Sequence, residues 1–215
     1  VAKTAEALRD LQDQFRERTT QKIYRALVAG ITDEAGEFSG AIGRSEADPT
    51  HQEIRRLSFS WSKGKAKEAQ TTYRQLATAE IQPQGLVNPE TPGVGFNRVS
   101  LVELTPNTGR MHQLRVQLAE AGWPILGDDR YSTKASQKLS SELGVNRQLL
   151  HALRLSFNHP ETGEPVTVRM GRYGPVAQIG DSANGEKPRF ASLSKNQLLE
   201  TITLDEALNL FRLPR

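Results

Sequence analysis

The chain has 215 residues, of which 36% are hydrophobic and 25% are charged, and this composition excludes a collagen, a coiled coil and a fully disordered chain. Its formal net charge of +3 weakly favours an anionic partner, and its longest apolar stretch, 26–31, is far shorter than the ~18 residues that a membrane span requires. Because cysteine is absent, the sequence excludes disulfides, thiolate metal sites and a cysteine nucleophile.

The N-terminal part of the chain predicts a helix followed by a strand. Apolar residues recur at helical spacing from a cap at Thr4 to about Arg18, which indicates an amphipathic surface helix. Residues 22–31 carry apolar side chains on both faces of a predicted strand. Glycine, serine and acidic residues dominate 32–65, which we interpret as loops and short strands before another strand near 71–76.

The middle of the chain predicts an irregular connection, a strand and a second helix. Three prolines and three glycines lie in 82–95, and such a composition is typical of an irregular loop. A strand follows at 97–104. The apolar spacing then predicts a helix that opens at Thr108 and ends at Gly122.

The C-terminal part predicts a hairpin and then an extension. Residues 150–170 contain two alternating segments joined by a turn in which Gly163 takes a positive φ. The sequence is polar beyond this hairpin until a final helical segment at 205–212. We therefore expect one domain over 1–171 and a C-terminal extension of unknown role over 172–215.

Arg115 occupies an unusual position on the second predicted helix. It lies four residues from Met111 and three from Leu118, so it leans toward the apolar face. An isolated buried guanidinium is costly, so Arg115 either reaches solvent, or pairs with a carboxylate from another element or with a bound anion. A structural ion pair, or a side chain that extends to solvent, is the alternative to a functional role.

Basic and aromatic residues at two places suit an anionic ligand. Arg110 and His112 lie in the first turn of the predicted helix, where the helix dipole and unpaired N–H groups favour a phosphate. Tyr24 is flanked by Lys22 and Arg25, a combination that suits an RNA base turned out of its helix. A tyrosine buried in the core is the alternative interpretation of Tyr24.

Other reaction classes lack their motifs. The sequence contains no Gly-x-Ser-x-Gly segment, no phosphate-binding loop and no dinucleotide-binding fingerprint. No recognised metal-ligand spacing joins the candidate metal-binding residues, which are His112, His151, His159, Asp128 and Asp129. A metal-dependent hydrolase is therefore a remote alternative.

Four segments together resemble the RluA-type RNA pseudouridine synthase family. Residues 22–30 (KIYRALVAG) are similar to its Lys-x-Tyr-x-Ala-x-Val-x-Gly strand, and 108–131 is similar to its Thr-Gly-Arg-x-His-Gln-x-Arg helix and Pro-Ile-x-Gly-Asp-x-x-Tyr turn. Residues 149–164 resemble the hairpin near the end of the family's catalytic domain, and 64–76 is a weaker match. These segments span about 1–170 of the chain.

The resemblance implies an α+β fold with a mixed, mainly antiparallel sheet and flanking helices. It implies isomerisation of uridine to pseudouridine in structured rRNA or tRNA, with no cofactor and no metal. In the family an aspartate is the covalent nucleophile; Tyr24 would stack on the flipped base and assist proton removal from carbon 5, and Arg115 would pair with the aspartate. We expect a monomeric, cytoplasmic protein whose partner is RNA. The residues expected to contact RNA are Lys22, Arg110, His112 and Gln113.

Two features depart from the family pattern. The family's nucleophile lies in a His-Arg-Leu-Asp-x-x-Thr-Ser-Gly segment that is absent from the 215 residues, and Gln117 stands where the family usually has histidine. In the family that segment precedes a Val-Ala-Lys-like sequence, with which this chain opens, so we interpret the sequence as truncated at its N-terminus. The alternative is a noncatalytic RNA-binding relative that never had the aspartate.

Three expectations follow from this interpretation. The chain alone does not isomerise uridine, because it lacks the nucleophile. Tyr24 and Arg115 face one cleft. Arg115 has no buried carboxylate partner within the chain, because its partner in the family is the missing aspartate.

Overall fold

A computed structural model describes residues 4–45, 51–55, 66–81, 98–172, 174–181 and 187–192. The chain divides into two compact units, one formed by Val1–Tyr24 with Ala152–Arg215 and the other by Arg25–His151. Both contain mainly antiparallel strand pairs with flanking helices, which confirms the predicted α+β class. The predicted loop at 82–95 and helix at 205–212 lie outside the described residues.

The described residues form three helices and nine strands. They are α1 (Ala5–Arg16), β1 (Gln21–Ala29), β2 (Ala35–Arg44), β3 (Gln52–Arg55), β4 (Lys67–Glu80), β5 (Arg98–Pro106), α2 (Gln113–Glu120), α3 (Lys134–Glu142), β6 (Leu150–Asn158), β7 (Pro165–Gly171), β8 (Gly174–Ile179) and β9 (Arg189–Ser192). The predicted first helix, first strand and C-terminal hairpin are confirmed by α1, β1 and the β6–β7 pair.

The first unit packs α1 against antiparallel strands in the order β6-β7-β8-β9. The helix begins at Thr4, whose side chain accepts a hydrogen bond from the Ala7 amide as the sequence predicts. Phe157, Val166 and Ile179 form a buried cluster, against which Leu11 of the helix packs. The apolar stripe of α1 therefore covers one face of this sheet.

The predicted boundary after residue 171 is not where the structure divides. Strand β8 pairs with β7 from Val166↔Ile179 to Gly171↔Gly174, and β9 pairs with β8. These strands extend the same sheet as the predicted hairpin. The sequence missed them because short strands among glycine and polar residues have no strong periodicity of their own.

The second unit has strands in the order β3-β2-β4-β5, followed by residues 25–29 of β1. The β2–β3, β2–β4 and β4–β5 pairs are antiparallel. Ala29, Val99, Leu126 and Leu139 form a buried cluster that joins β1, β5 and α3. Since Leu126 belongs to the turn that follows α2, this cluster also anchors the turn.

The interpretation of 32–65 as loops and short strands is wrong for β2, which has ten residues. Gly36 lies opposite Tyr73 in the register, and a Cβ at Gly36 would lie 2.7 Å from the Tyr73 hydroxyl. The ring of Phe38 stacks on that of Tyr73 with centroids 4.6 Å apart. Glycine is thus required here for close approach of a neighbouring ring and does not end the strand.

The sequence also missed α3. Its only described buried apolar side chain is that of Leu139, so the helical period is weak in the sequence. The helix is instead specified at its start by a capping box, in which Thr133 and Ser136 exchange side-chain hydrogen bonds with each other's backbone amides.

Candidate functional site

The loop that precedes α2 is not helical, although the sequence predicts a helix from Thr108. Helix α2 begins at Gln113, and His112 precedes it with φ of 55°, in the left-handed region. The Gln113 Oε1 atom accepts hydrogen bonds from Thr108 Oγ1 at 2.8 Å and from the Arg110 amide at 3.0 Å. These bonds hold the loop away from the helical path, and Met111 is consequently exposed.

Gln113 has no capacity left for an RNA contact. Its Nε2 atom donates to the Gln70 carbonyl at 3.0 Å and to Thr71 Oγ1 at 2.9 Å, and the residue is only 4% exposed. Both amide atoms therefore make two hydrogen bonds within the chain. This geometry contradicts the expectation that Gln113 contacts RNA; its amide fixes the loop that presents Arg110 and His112.

The basic residues of the predicted RNA surface differ in their surroundings. The Arg110 Nε atom donates to the Glu68 carbonyl at 2.8 Å, and among the residues that the structure describes Arg110 has no carboxylate partner. Arg25 forms an ion pair with Glu103 at 3.5 Å. The Lys22 ammonium lies 5.9 Å from the centroid of the Phe15 ring. Of these three residues, Arg110 is therefore the best placed to bind an anion.

Arg115 forms a buried bidentate ion pair with Asp128. Its Nε and Nη2 atoms donate to the two carboxylate oxygens at 2.7 and 2.6 Å, and Nη2 also donates to Asp129 at 3.0 Å. The side chains of Arg115 and Asp128 are 12% and 1% exposed. The expectation that Arg115 has no buried carboxylate partner within the chain is therefore wrong. The Asp128 carboxylate, from the turn after α2, pairs with the guanidinium. Such pairing is one of the alternatives that the position of Arg115 on its helix leaves open.

Asp128 is held by its backbone surroundings as well as by Arg115. Its Oδ1 atom accepts the amides of Arg130 and Tyr131, each at 2.9 Å. Burial raises the pKa of Asp128, but the hydrogen bonds from Arg115 and from these amides outweigh burial and keep the pKa below its usual value. The Arg115 pKa is raised, chiefly by the hydrogen bond to Asp128. The pair is thus fully charged at neutral pH.

Gly127 forms the tight turn that places Asp128 beside Arg115. Its φ is 72°, and a Cβ at this position would collide with the Arg147 carbonyl. Its amide donates to Ser140 Oγ of α3 at 2.9 Å. Only glycine combines the positive φ with so close a backbone contact, so the turn that presents Asp128 depends on it.

Tyr131 connects the ion pair to two histidines. Its hydroxyl oxygen lies 2.8 Å from His112 Nδ1 and accepts the Gln52 amide at 2.9 Å. Its ring lies 5.1 Å below the Arg115 guanidinium and meets the His51 ring edge to face. The Tyr131 hydroxyl thus joins His112 to the backbone of Gln52, and the tautomer of the imidazole sets whether Nδ1 or the hydroxyl donates.

The pH dependence of stability is expected to report His112. Burial lowers the pKa of its imidazole, and the charges of Arg115, Arg130 and His51 lower it further against the opposing effect of Asp128. The unfolded chain, with an ordinary histidine pKa near 6.5, therefore binds a proton before the folded chain does. Stability is fully present above about pH 6.5 and falls as the pH drops from there through the folded pKa.

Urea unfolding between about pH 7 and pH 5.5 measures this effect. The His112→Asn variant, whose asparagine tolerates the left-handed φ, is expected to lose less stability over this range than the wild type. Equal slopes for wild type and His112→Asn contradict the expectation.

Tyr24 belongs to the first unit, whereas Arg115, Asp128 and the loop before α2 belong to the second. Tyr24 is half-buried in β1, and burial raises the pKa of its phenol. The phenol is therefore neutral at physiological pH. That Tyr24 and Arg115 face one cleft stays a prediction.

The described residues contain neither a metal-ligand cluster nor a membrane-spanning helix. No group of three histidine, aspartate or glutamate side chains in that part of the chain is arranged to hold a metal ion. Among the same residues, no helix has the length and apolar character needed to cross a bilayer.

Sequence reasoning did not assign Asp128, Tyr131 and Thr71 to the site. The signal for the first two lies in the segment Gly-Asp-Asp-Arg-Tyr, where a glycine of positive φ precedes the buried carboxylate. Thr71 has no such signal. Its hydroxyl donates to Gln117 at 2.7 Å, and only the packing of β4 against α2 brings these residues together.

Comparison with protein-family models and curated proteins gives consistent matches. Residues 1–120 match the model described as RNA pseudouridylate synthase, and residues 159–215 match that of the topoisomerase C-terminal repeat. The ribosomal large subunit pseudouridine synthase C of Vibrio vulnificus is 33% identical over 168 residues, which are 78% of this chain and 45% of that protein. The tRNA pseudouridine synthase C of Haemophilus ducreyi is 33% identical over 170 residues, 78% of this chain and 64% of that protein. The chain thus spans about half to two thirds of the length of these relatives.

Solved structures show a similar fold. The human RNA pseudouridylate synthase domain containing 1 matches with a TM-score of 0.60 and 25% identity, covering 99% of this chain and 74% of that one. The human RNA pseudouridylate synthase domain containing 4 matches with a TM-score of 0.53 and 25% identity, covering 79% of this chain and 65% of that one.

Proposed function

The chain belongs to the RNA pseudouridylate synthase family, and from that premise we propose that the protein isomerises specific uridines of structured rRNA or tRNA to pseudouridine. The observation that carries the proposal is the fixed guanidinium of Arg115. Its Nε and Nη2 atoms are bound by Asp128 and Asp129, while Nη1 has no acceptor among the described residues. Nη1 is thus the guanidinium nitrogen that is left to donate to a further carboxylate. The proposal includes a monomeric, cytoplasmic protein that uses no cofactor and no metal.

We assign the roles of the site residues from the family resemblance and the geometry together. Tyr24 stacks its neutral phenol ring on the flipped base and assists proton removal from carbon 5. Arg115 pairs through Nη1 with the nucleophilic aspartate, and Asp128 orients the guanidinium for that contact. Arg110 and His112 approach the RNA backbone from the loop that Gln113 holds in place.

The nucleophile is not supplied by the carboxylates that flank Arg115. The Asp128 side chain is 1% exposed and accepts four hydrogen bonds within the chain, so it is not accessible to a substrate. No His-Arg-Leu-Asp segment occurs in the 215 residues. We propose that the attacking aspartate is not among them.

Mapping pseudouridine in the rRNA and tRNA of a strain that lacks the gene tests the proposal. One or a few uridines are expected to remain unmodified, and the wild-type gene is expected to restore them. A gene carrying Tyr24→Ala is expected not to restore them, whereas Arg16→Ala, at a side chain 71% exposed and paired with Asp13, restores them. An unchanged pseudouridine pattern in the deletion strain contradicts the proposal and favours a noncatalytic RNA-binding relative.

RNA binding is expected to weaken as the salt concentration rises, because bound phosphates release counterions. Arg110→Ala is expected to weaken the binding of RNAs of different sequence by a similar factor, since a backbone contact reads no bases. Fluorescence anisotropy with labelled RNAs measures both effects. Arg16→Ala is the control, because Arg16 is exposed and already paired with Asp13. Unchanged affinity in Arg110→Ala, or binding that salt does not affect, rules out this use of the loop.

A further inference from the structure

Two arginines oppose each other on the sheet of the first unit. The register of β6 and β7 pairs Arg154 directly with Arg169. The neighbouring side chains of Leu155 and Phe157 belong to the cluster packed against α1. Because side chains alternate across a strand, Arg154 and Arg169 lie on the opposite face, which we name the arginine face.

Besides Val176, which lies opposite Arg169, the arginine face carries polar side chains and an aromatic ring. Ser156 and Thr167 are joined by a hydrogen bond of 3.0 Å between their hydroxyl oxygens. Thr167 is paired with Gln178, and Gln178 with Phe190, which is 41% exposed. No aspartate or glutamate occupies this face in the described residues of β6, β7, β8 and β9.

The juxtaposition of Arg154 and Arg169 is unfavourable for the sheet by itself. Like charges directly opposite each other in an antiparallel pair repel. Neither arginine forms an ion pair with a carboxylate in the part of the chain that the structure describes, although other arginines of this unit, Arg16 and Arg189, do so. An anion that binds between the two guanidinium groups relieves the repulsion.

We propose that the arginine face binds the phosphate backbone of RNA, as a contact surface additional to the loop before α2. The choice of RNA as the polyanion rests on the proposed function. Guanidinium groups match phosphate oxygens in geometry and charge. The hydroxyl and amide groups of this face suit phosphate and sugar, and an exposed ring such as that of Phe190 suits stacking with a base.

The test compares two variants of the 215-residue chain in the binding of a fluorescein-labelled single-stranded RNA. The double variant Arg154→Ala with Arg169→Ala is expected to bind at least about tenfold more weakly than the wild type. The slope of log affinity against log salt is expected to decrease by about 1.4, at about 0.7 for each lost phosphate contact. Arg189→Ala is the control, because Arg189 pairs with Glu164 and is in register with Ile179 of the core, and its binding is expected to be unchanged.

A charge reversal separates binding from folding. Arg154→Glu places a carboxylate opposite Arg169, so the cross-strand pair becomes attractive. Its unfolding midpoint is expected to equal or exceed that of the wild type, while its affinity for RNA falls. Wild-type affinity in the folded Arg154→Glu protein overturns the inference.

The outcomes also distinguish this inference from the function on which it rests. If the wild type binds RNA and the double variant binds it equally well, only the arginine face is wrong. If the wild type does not bind this RNA, the inference fails, whereas the proposed function stands or falls with the pseudouridine pattern of the deletion strain. If the double variant loses affinity for polyglutamate but not for RNA, the face recognises an acidic protein and the inference is overturned.

Discussion

Replacing Asp128 by asparagine is expected to lower the free energy of unfolding by about 3–5 kcal/mol, the range found when one partner of a buried ion pair is removed. The Arg115 side chain is only 12% exposed, so its charge cannot be solvated fully when the carboxylate is lost. The Asp128 Oδ1 atom also accepts two backbone amides, and an asparagine cannot satisfy those amides and the guanidinium together.

Urea unfolding of Asp128→Asn beside Asp129→Asn measures this contribution. Asp129 contacts the same Nη2 atom, but its side chain is 83% exposed, so its loss is expected to change the free energy of unfolding by less than about 1 kcal/mol. Equal destabilisation by the two variants contradicts a dominant role for burial of the pair.

The difference in stability between the wild type and Asp128→Asn is expected to depend on pH. The hydrogen bonds from Arg115 and from the backbone keep the pKa of Asp128 below its ordinary value in spite of burial. Its stabilising contribution is therefore present above about pH 4 and is lost as the pH falls through the folded pKa. The difference between wild type and Asp128→Asn is expected to shrink below about pH 4, and a constant difference contradicts the assignment.

The 215-residue chain by itself is expected not to release tritium from RNA that contains carbon-5-labelled uridine. Tyr24 can stack and Arg115 can orient a carboxylate, but neither attacks the nucleoside, and loss of a nucleophile commonly lowers a rate by ~10⁴ to 10⁶-fold. Asp128 does not replace it, because it is ionised but enclosed by Arg115 and two amides.

A longer product that contains a His-Arg-Leu-Asp segment is the matched comparison. It is expected to release tritium, and replacing its aspartate by asparagine is expected to abolish release while RNA binding is retained. Release by the 215-residue chain at the rate of the longer product contradicts our assignment of the nucleophile.

The sequence alone predicted the features whose causes are local. Thr4 begins α1 because its hydroxyl binds an amide three residues later, and Gly163 closes the β6–β7 turn because that turn needs a positive φ of 71°. The motifs around Tyr24 and Arg115 indicated the family, which the match over residues 1–120 confirms. In each case the determining residues lie within one short segment.

The tertiary structure decided which partner each polar side chain takes. Helical spacing left open whether Arg115 reaches solvent or pairs with an anion, and packing of the turn against β1 and α3 brings Asp128 to it. The polar side chain of Gln113 is compatible with a surface position, so the sequence suggested an RNA contact. In the structure it is buried against β4, where its hydrogen bonds to Gln70 and Thr71 make it unavailable to RNA. Periodicity reports the faces of one element, whereas a hydrogen bond between elements depends on register and close packing that no local pattern encodes.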